Sequence, residues 1–478
     1  MKIIKNKNKF SIQKSDLSTK KMIIRTLQVC FVFFIGISSY AQEKNWTLRE
    51  CVEYALENNI SIKQSALDLE TTKIDKLDAI GNFLPSLNAS ASNSWSSGLA
   101  NDPQTGTNSI QTFRSSSYGA STGITIFDGL SNLRQLQRAK LNILLSKYNL
   151  GKSKDDIALF VANSYLQVLL NKESLKVIQK QHEITLEQQQ RTQDLVEAGV
   201  LPQGDLLEIE ATSADELTRI VQAENAVQIS LISLAQTLLI KDYEKFNIAE
   251  QEYLVPNADI LDKPIDEIRS RAREARYEVQ IAEQSKLIAE KDVEIAKAGY
   301  YPTLTGSFGV STFETDAERL IGVDTSGNPI IGNPSPVFDQ FSDNYSLNYG
   351  VSLSVPIFNG FSVKNAVKRS KINVKRTEFQ LEQAELDLDS NVYQAYLDAK
   401  GAAEAFEAAQ VSVKAQERAY EYAKDRYDVG LTNAFDFNQS KFRLENAQSQ
   451  EVQNKFDYIF KLKVLELYFG IKVADIKL

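Results

Sequence analysis

The stretch Ile126-Phe127-Asp128-Gly129-Leu130-Ser131 returns as Ile357-Phe358-Asn359-Gly360-Phe361-Ser362, and the repetition does not stop there. Residues Gly129 to Asn247 lie on Gly360 to Leu478 at a constant offset of 231 with no gap. Arg138, Lys140, Asn142, Val161, Tyr165, Leu166, Asp194, Gly199 and Asp205 find their identical counterparts in Arg369, Lys371, Asn373, Val392, Tyr396, Leu397, Asp425, Gly430 and Asp436. Upstream the offset becomes 217 and sets Pro85 on Pro302, so 14 extra residues lie between Pro302 and Gly360. Two units of about 230 residues are too long for solenoid repeats; the chain is a duplicated domain with one lengthened loop.

Each copy changes its hydrophobic period from 2 to 3.6. Leu87, Ala89, Ala91 and Trp95, then Tyr118, Ala120, Thr122, Ile124 and Ile126, alternate with small or polar residues; Leu304, Gly306, Phe308 and Val310, then Tyr345 to Ile357, repeat the pattern. The alternation predicts strands over about 83–97, 117–128, 302–314 and 345–358, with one apolar face and one face of residues such as Ser86, Asn88, Ser90 and Ser92. Their length suits a membrane-spanning barrel, which takes about 9–11 residues per strand. A soluble antiparallel sheet with one wet face is the alternative that the strands alone leave open. The intervening stretches 97–117 and 312–344 are rich in Gly, Ser, Asn, Asp and Pro and are expected to be loops at the exposed end.

After each strand pair comes a stretch without proline and with a single glycine, Gly151 in 130–198 and Gly401 in 361–429. Each is expected to be one helix roughly 100 Å long at 1.5 Å per residue. Apolar residues at three-and-four spacing, such as Ile157, Phe160, Val161, Tyr165 and Val168, give it a seam for neighbouring helices. Both end in a glycine turn, Ala198-Gly199-Val200-Leu201-Pro202 and Val429-Gly430-Leu431-Thr432-Asn433, which predicts αα-hairpins with turns at 199–203 and 430–433. The returning helices, about 204–238 and 434–468, are half as long. Shorter segments at about 265–298 and 47–80 stacked on their ends restore the length. The proline-bearing stretch 248–264 links the repeats, 42–247 and 265–478, at mid-height.

The amino terminus reads as a secretory signal. Lys20, Lys21 and Arg25 precede the apolar stretch Val29 to Ile37 and the small residues Ser39 and Ala41, so cleavage is expected after about Ala41, with Met22 an alternative start to Met1. Cys30 has no small residue before it and does not suit a lipoprotein box. Residues 1–41 hold eight Lys/Arg and one Asp, so their removal takes the net charge from −8 to about −15, which disfavours nucleic acid as a partner. Cys51 alone remains, which excludes an intrachain disulfide; aligned with Ile268, it is expected to be a small buried hydrophobe. Both methionines lie upstream of the cleavage site, so a thioether-lined path for soft metal ions is not expected. There is no phosphate-binding glycine loop, dinucleotide fingerprint or Cys/His metal spacing, and the one histidine, His182, sits in a polar helical run where a solvated residue is expected. No cofactor and no enzyme activity are expected.

Four strands cannot close a barrel, and a membrane tolerates no open sheet edge, so the chain has to oligomerise; eight strands from two copies or twelve from three satisfy this equally. The segments Trp46 to Asn59 (WTLRECVEYALENN), Phe83 to Leu87 (FLPSL) with its echo at Tyr300 to Leu304 (YYPTL), the paired IFDG and IFNG, and Arg426 to Thr432 (RYDVGLT) resemble the TolC-type outer membrane efflux protein family across the whole mature chain. The resemblance implies an α+β fold: a homotrimer with a 12-stranded outer-membrane β-barrel, a periplasmic α-helical barrel and a mixed equatorial belt. It implies a passive exit duct in which a periplasmic adaptor (membrane fusion) protein and an inner-membrane pump meet the hairpin tips, with outer-membrane lipid around the strands. Gly199, Val200, Leu201, Gly430 and Leu431 then become the adaptor-docking residues. Asp205 and Asp436 become a ring of six carboxylates at a periplasmic gate, with Tyr427, whose hydroxyl is placed to bond Asp205. The family's gate arginine falls on Thr432 and a second acidic position on Gln439, which puts a salt-bridged lock in doubt. A non-transporting coiled-coil stalk or adhesin is the competing reading; it gives no reason for restarting strand, strand and long helix twice.

Overall fold

A computed structural model describes residues 45–101, 108–250 and 259–471. The expected signal segment, part of the linker and the last residues lie outside these bounds. In chain order the elements are β1 (Asn45–Trp46), α1 (Leu48–Asn58), α2 (Ile60–Gly81), β2 (Ser86–Asn101), β3 (Asn108–Phe127), α3 (Ser131–Glu197), α4 (Gln203–Thr237) and β4 (Asn247–Ile248). The second half gives α5 (Ile265–Ala275), α6 (Tyr277–Ala298), β5 (Thr303–Thr315), β6 (Arg319–Val323), β7 (Pro329–Gly332), α7 (Val337–Asp343), β8 (Ser346–Ser354), α8 (Ser362–Asp428) and α9 (Ala434–Tyr468). At the offsets of 217 and 231 the helix pairs α1/α5, α2/α6, α3/α8 and α4/α9 begin and end on corresponding residues.

β2, β3, β5 and β8 form one antiparallel sheet in that order. The register sets Leu87, Thr122, Phe308 and Tyr349 on one face and Ser90, Gly119 and Ser311 on the other. The hydroxyls of Ser92 and Ser117 meet on the polar face at 2.7 Å. Leu87 and Tyr349 on the apolar face are 80% and 79% exposed, which is unfavourable against water. Among the described residues the outer edges of β2 and β8 pair with nothing.

The stretch 97–117 departs from expectation. The ladder continues to Asn101 opposite Asn108, so most of the supposed loop is strand. Leu99 and Ile110 keep the alternation there, and Thr112 donates to Ser97 across the pair, so a polar composition concealed a hairpin. The lengthened loop of the second copy holds the β6–β7 hairpin and α7. Gln340 pins α7 to β5, its Oε1 accepting from Thr315 N at 2.8 Å and its Nε2 donating to Thr315 O at 2.9 Å.

Strand turns into helix at the repeated glycine. Gly129 and Leu130 take φ of 70° and 71°, Gly360 and Phe361 59° and 65°, so two consecutive left-handed residues swing the chain out of the sheet. That conformation costs a side-chain-bearing residue about 1–2 kcal/mol, which glycine avoids at the first position and Leu130 and Phe361 bear at the second. The expected short helices at 47–80 and 265–298 are each two helices. Asn59 breaks the first with ψ of 135° and its side chain then caps α2 through Ser61 N; Arg276 breaks the second with ψ of 133° while its guanidinium holds Glu278.

The core is concentrated at mid-height, where the linker crosses the helices. Cys51 and Ile268, aligned in sequence, are both fully buried. Tyr165 donates its hydroxyl to the carbonyls of Trp46 and Ala249, and its counterpart Tyr396 donates to Leu261 O. Each repeat thus clips its own belt segment to its long helix.

Candidate functional site at the hairpin tips

The two hairpin turns share one backbone solution. Gly199 and Gly430 have φ of 75° and 74°; Val200 N returns to Leu195 O at 2.9 Å and Leu431 N to Arg426 O at 2.8 Å, satisfying the last carbonyls of the long helices. Val200 and Leu431 project into solvent, 63% and 68% exposed. Leu201 instead folds back onto the tip core of Ile209, Tyr420, Tyr427, Ala434 and Phe437. The five tip residues therefore divide into an outward pair, an inward leucine and two turn glycines.

Asp205 and Asp436 sit in the first turns of α4 and α9. Asn433 caps α9 by accepting from Asp436 N at 2.8 Å, and Thr432 donates its hydroxyl to Asp436 Oδ2 at 3.3 Å. Asp436 and Gln439 are exposed and Asp205 is half-buried. Tyr427 differs from expectation: its side chain is buried and its hydroxyl meets Thr192 Oγ1 at 3.2 Å, not Asp205. The ring stacks on Phe437 at 5.0 Å and 16°, which turns it toward α3. Burial, and then the negative charges of Asp205 and Asp428, push the Tyr427 phenol up against the opposing Thr192 bond. Burial with Asp428 and Glu187 pushes Tyr420 up to about 12. Both phenols are therefore neutral at physiological pH.

Deeper between the hairpins lies a polar group the sequence did not disclose. Lys441 on α9 reaches Glu216 Oε1 on α4 at 2.6 Å and the Thr185 hydroxyl on α3. His182 Nδ1 lies 3.2 Å from Glu216 Oε2, so His182 is mostly enclosed, contrary to the expected solvated residue. One turn farther, Arg219 donates to Glu445 at 3.0 Å, and Gln181 donates to Gln448 at 2.8 Å. The Lys441 and Glu216 side chains are 4% and 5% exposed. Burial pushes the pKa of Lys441 down, opposed by its bond to Glu216. Removing one partner of such a pair strands a charge and costs about 3–5 kcal/mol. The neutral Tyr427–Thr192 bond is worth about 0.5–1.5 kcal/mol. Among the described residues no group of His, Cys, Asp and Glu suits a metal ion.

This combination of a two-faced four-stranded sheet, 67-residue helices and glycine-turned tips now meets known proteins. The family model described as outer membrane efflux protein matches residues 51–238 and 268–470. The chain belongs to the outer membrane efflux protein family. The outer membrane protein TolC of Escherichia coli is 23% identical over 430 residues, covering 89% of this chain and 82% of that protein. The cation efflux system protein CusC of Escherichia coli O157:H7 is 22% identical over 375 residues, covering 78% and 73%. Among solved structures, the Campylobacter jejuni CmeC outer membrane channel superposes with a TM-score of 0.73 at 17% identity, covering 91% of this chain and 90% of that one. The outer membrane protein VceC of Vibrio cholerae gives 0.72 at 15% identity, covering 88% and 96%. At these identities the superpositions establish a shared fold.

Proposed function

We propose that this family member is the outer-membrane exit duct of a tripartite efflux or type I secretion system and works as a homotrimer. The carrying observation is the sheet: four strands apolar on one face over 87–91, 118–126, 304–310 and 347–353 and hydroxyl-lined on the other, open at both edges, lead directly into helices about 100 Å long. Three copies supply twelve strands, pair every free edge and place the serine face around a watery lumen. The duct is passive, with energy supplied by an inner-membrane pump through a periplasmic adaptor. Val200 and Leu431, the exposed apolar residues beside Gly199 and Gly430, form the adaptor surface, and Leu201 holds the turn that presents them.

Asp205 and Asp436 recur at the same helical position, and a trimer sets six carboxylates around the periplasmic entrance. Tyr427, bonded to Thr192, restrains the tip; Thr432 orients Asp436, and Gln439 continues the entrance as a neutral position. Converging carboxylates favour cations and attract multivalent ones. In planar bilayers the pore is therefore expected to be cation-selective, with trivalent cations blocking it from the periplasmic side and Asp205→Ala/Asp436→Ala relieving the block. Unselective, unblocked current in the parent protein would return both aspartates to ordinary first-turn residues of a helix. A tag inserted at Gly327, in the exposed β6–β7 turn, or near Asn101 at the end of β2, is expected to be reachable on intact cells. Access only after outer-membrane rupture would reverse the topology.

A further inference from the structure

Two seams hold the hairpins together, and they differ in what separation would expose. At the tip, α3 meets α8 through the neutral Thr192–Tyr427 bond and the Arg191–Asp428 ion pair, whose arginine is half exposed. Asp428 Oδ1 is buried there without a hydrogen-bond partner, so this seam is incompletely satisfied as it stands. Higher up, roughly 15–30 Å from the turns by the helical rise, α9 is tied to α3 and α4 by the Lys441–Glu216–His182–Thr185 cluster and by Glu445–Arg219. Gln181 and Gln448 bound it above, with only Gln181 Oε1 left without a partner. Parting this seam would leave a lysine and two glutamates, each almost fully buried, without their counter-charges, a far larger cost than releasing one neutral hydrogen bond.

The cluster is also one-sided. The positions of the other repeat that correspond to His182, Glu216 and Glu445 are Val413, Ala447 and Ala214, so the duplication itself did not produce it. Its cation comes from the second hairpin and its main carboxylate from the first. It is therefore a link between repeats, separate from the folding of either.

We propose that the buried Lys441–Glu216–His182 cluster is the fulcrum of the entrance: the tips part below it, at Tyr427–Thr192, while α9 stays fixed to α3 and α4 at and above it. This rests on the exit-duct reading and adds where the moving part of the hairpin begins. Widening is then confined to the last few turns of the helices, and the belt is not disturbed.

The test uses a short thiol-specific crosslinker, the full mature chain and single-channel recording. Cysteines replace Gln181 and Gln448, whose side chains meet at the fulcrum, in a Tyr427→Phe background that frees the tip. Cys51 is fully buried in the belt core and away from both sites. Linking Gln181→Cys to Gln448→Cys is expected to leave the raised conductance of Tyr427→Phe within about 20% of its unlinked value. Linking Thr192→Cys to Tyr427→Cys in the parent is expected to hold the conductance at its resting level. Return of Tyr427→Phe to the resting level on linking at the fulcrum overturns the proposal, because the seam then parts during opening. A protein that conducts in no form overturns the exit-duct reading, whereas conducting channels whose Tyr427→Phe variant stays at rest show that Tyr427 does not restrain the tip and overturn the fulcrum alone.

Discussion

The two repeats have helices of the same lengths on corresponding residues, yet their surroundings differ where they touch one another. α3 and α8 are both 67 residues and α4 and α9 both 35. Tyr165 and Tyr396 perform the same clip. The difference lies at the contacts between copies, where Glu216 and His182 in the first answer Lys441 in the second. Duplication preserved what each repeat needs to fold, and the asymmetry accumulated where one chain must pack against itself.

The largest expected asymmetry is at Lys441. Lys441→Met leaves Glu216 buried beside His182 alone and is expected to cost about 3–5 kcal/mol. Its repeat counterpart Glu210, exposed on α4, is expected to change by less than about 0.5 kcal/mol on replacement by alanine. Protease resistance of the tips against denaturant concentration measures both; equal effects would mean the cluster carries no special load.

The glycine corner comes next. A Cβ on Gly129 would stand 2.7 Å from Ala298 O and 2.8 Å from Tyr301 Cβ. Gly129→Ala therefore adds a backbone clash to about 1–2 kcal/mol of left-handed strain. Thermal unfolding should show a loss of more than about 2 kcal/mol, and a loss no larger than the strain alone would show that the contacts around Gly129 yield.

Tyr427→Phe is smaller in stability and larger in function. The lost bond to Thr192 costs about 0.5–1.5 kcal/mol, and the resting conductance should rise. The corresponding residue of the first repeat is Val196, which has no hydroxyl to lose, so Val196→Ala should leave conductance unchanged.

The smallest effect is in the belt. Lys172, and then Lys176, hold the Glu250 carboxyl below its ordinary 4.5. A depressed carboxyl stabilises the fold above the unfolded pKa, and the contribution is lost as pH falls through the folded value. Glu250 is half exposed, so the pair is worth roughly 0–1 kcal/mol. The stability difference between parent and Glu250→Gln should hold from neutral pH down to about 4.5 and disappear in stronger acid; a difference growing in acid would assign Glu250 another role.

What could be read in the sequence follows from how local each signal is. Long helices show as the absence of proline and glycine, and their ends as Gly199 and Gly430, because those residues decide backbone conformation by themselves. Leu130 and Phe361 are left-handed with no side-chain sign of it; only the glycine before each marks the corner. Asn59 and Arg276 interrupt helices through extended backbone that neither proline nor glycine announces. At the tip, the aspartates and Tyr427 were visible as repeated or family positions. The hydroxyl's partner, 235 residues away, depends on how Phe437 turns the ring. The Lys441 cluster was hidden because charges on a polar helix read as solvated. One signal did exist: His182, Glu216 and Glu445 face Val413, Ala447 and Ala214 across the repeat, and a charge opposite an apolar residue marks a site the copies do not share.

Single-channel recording of the purified protein in planar bilayers tests the central claim most directly. Discrete, long-lived conductance steps from particles of three copies are the result that follows from twelve paired strands around a hydroxyl-lined lumen. A chain that enters the membrane or forms trimers yet passes no current, as a stalk or adhesin would, contradicts it.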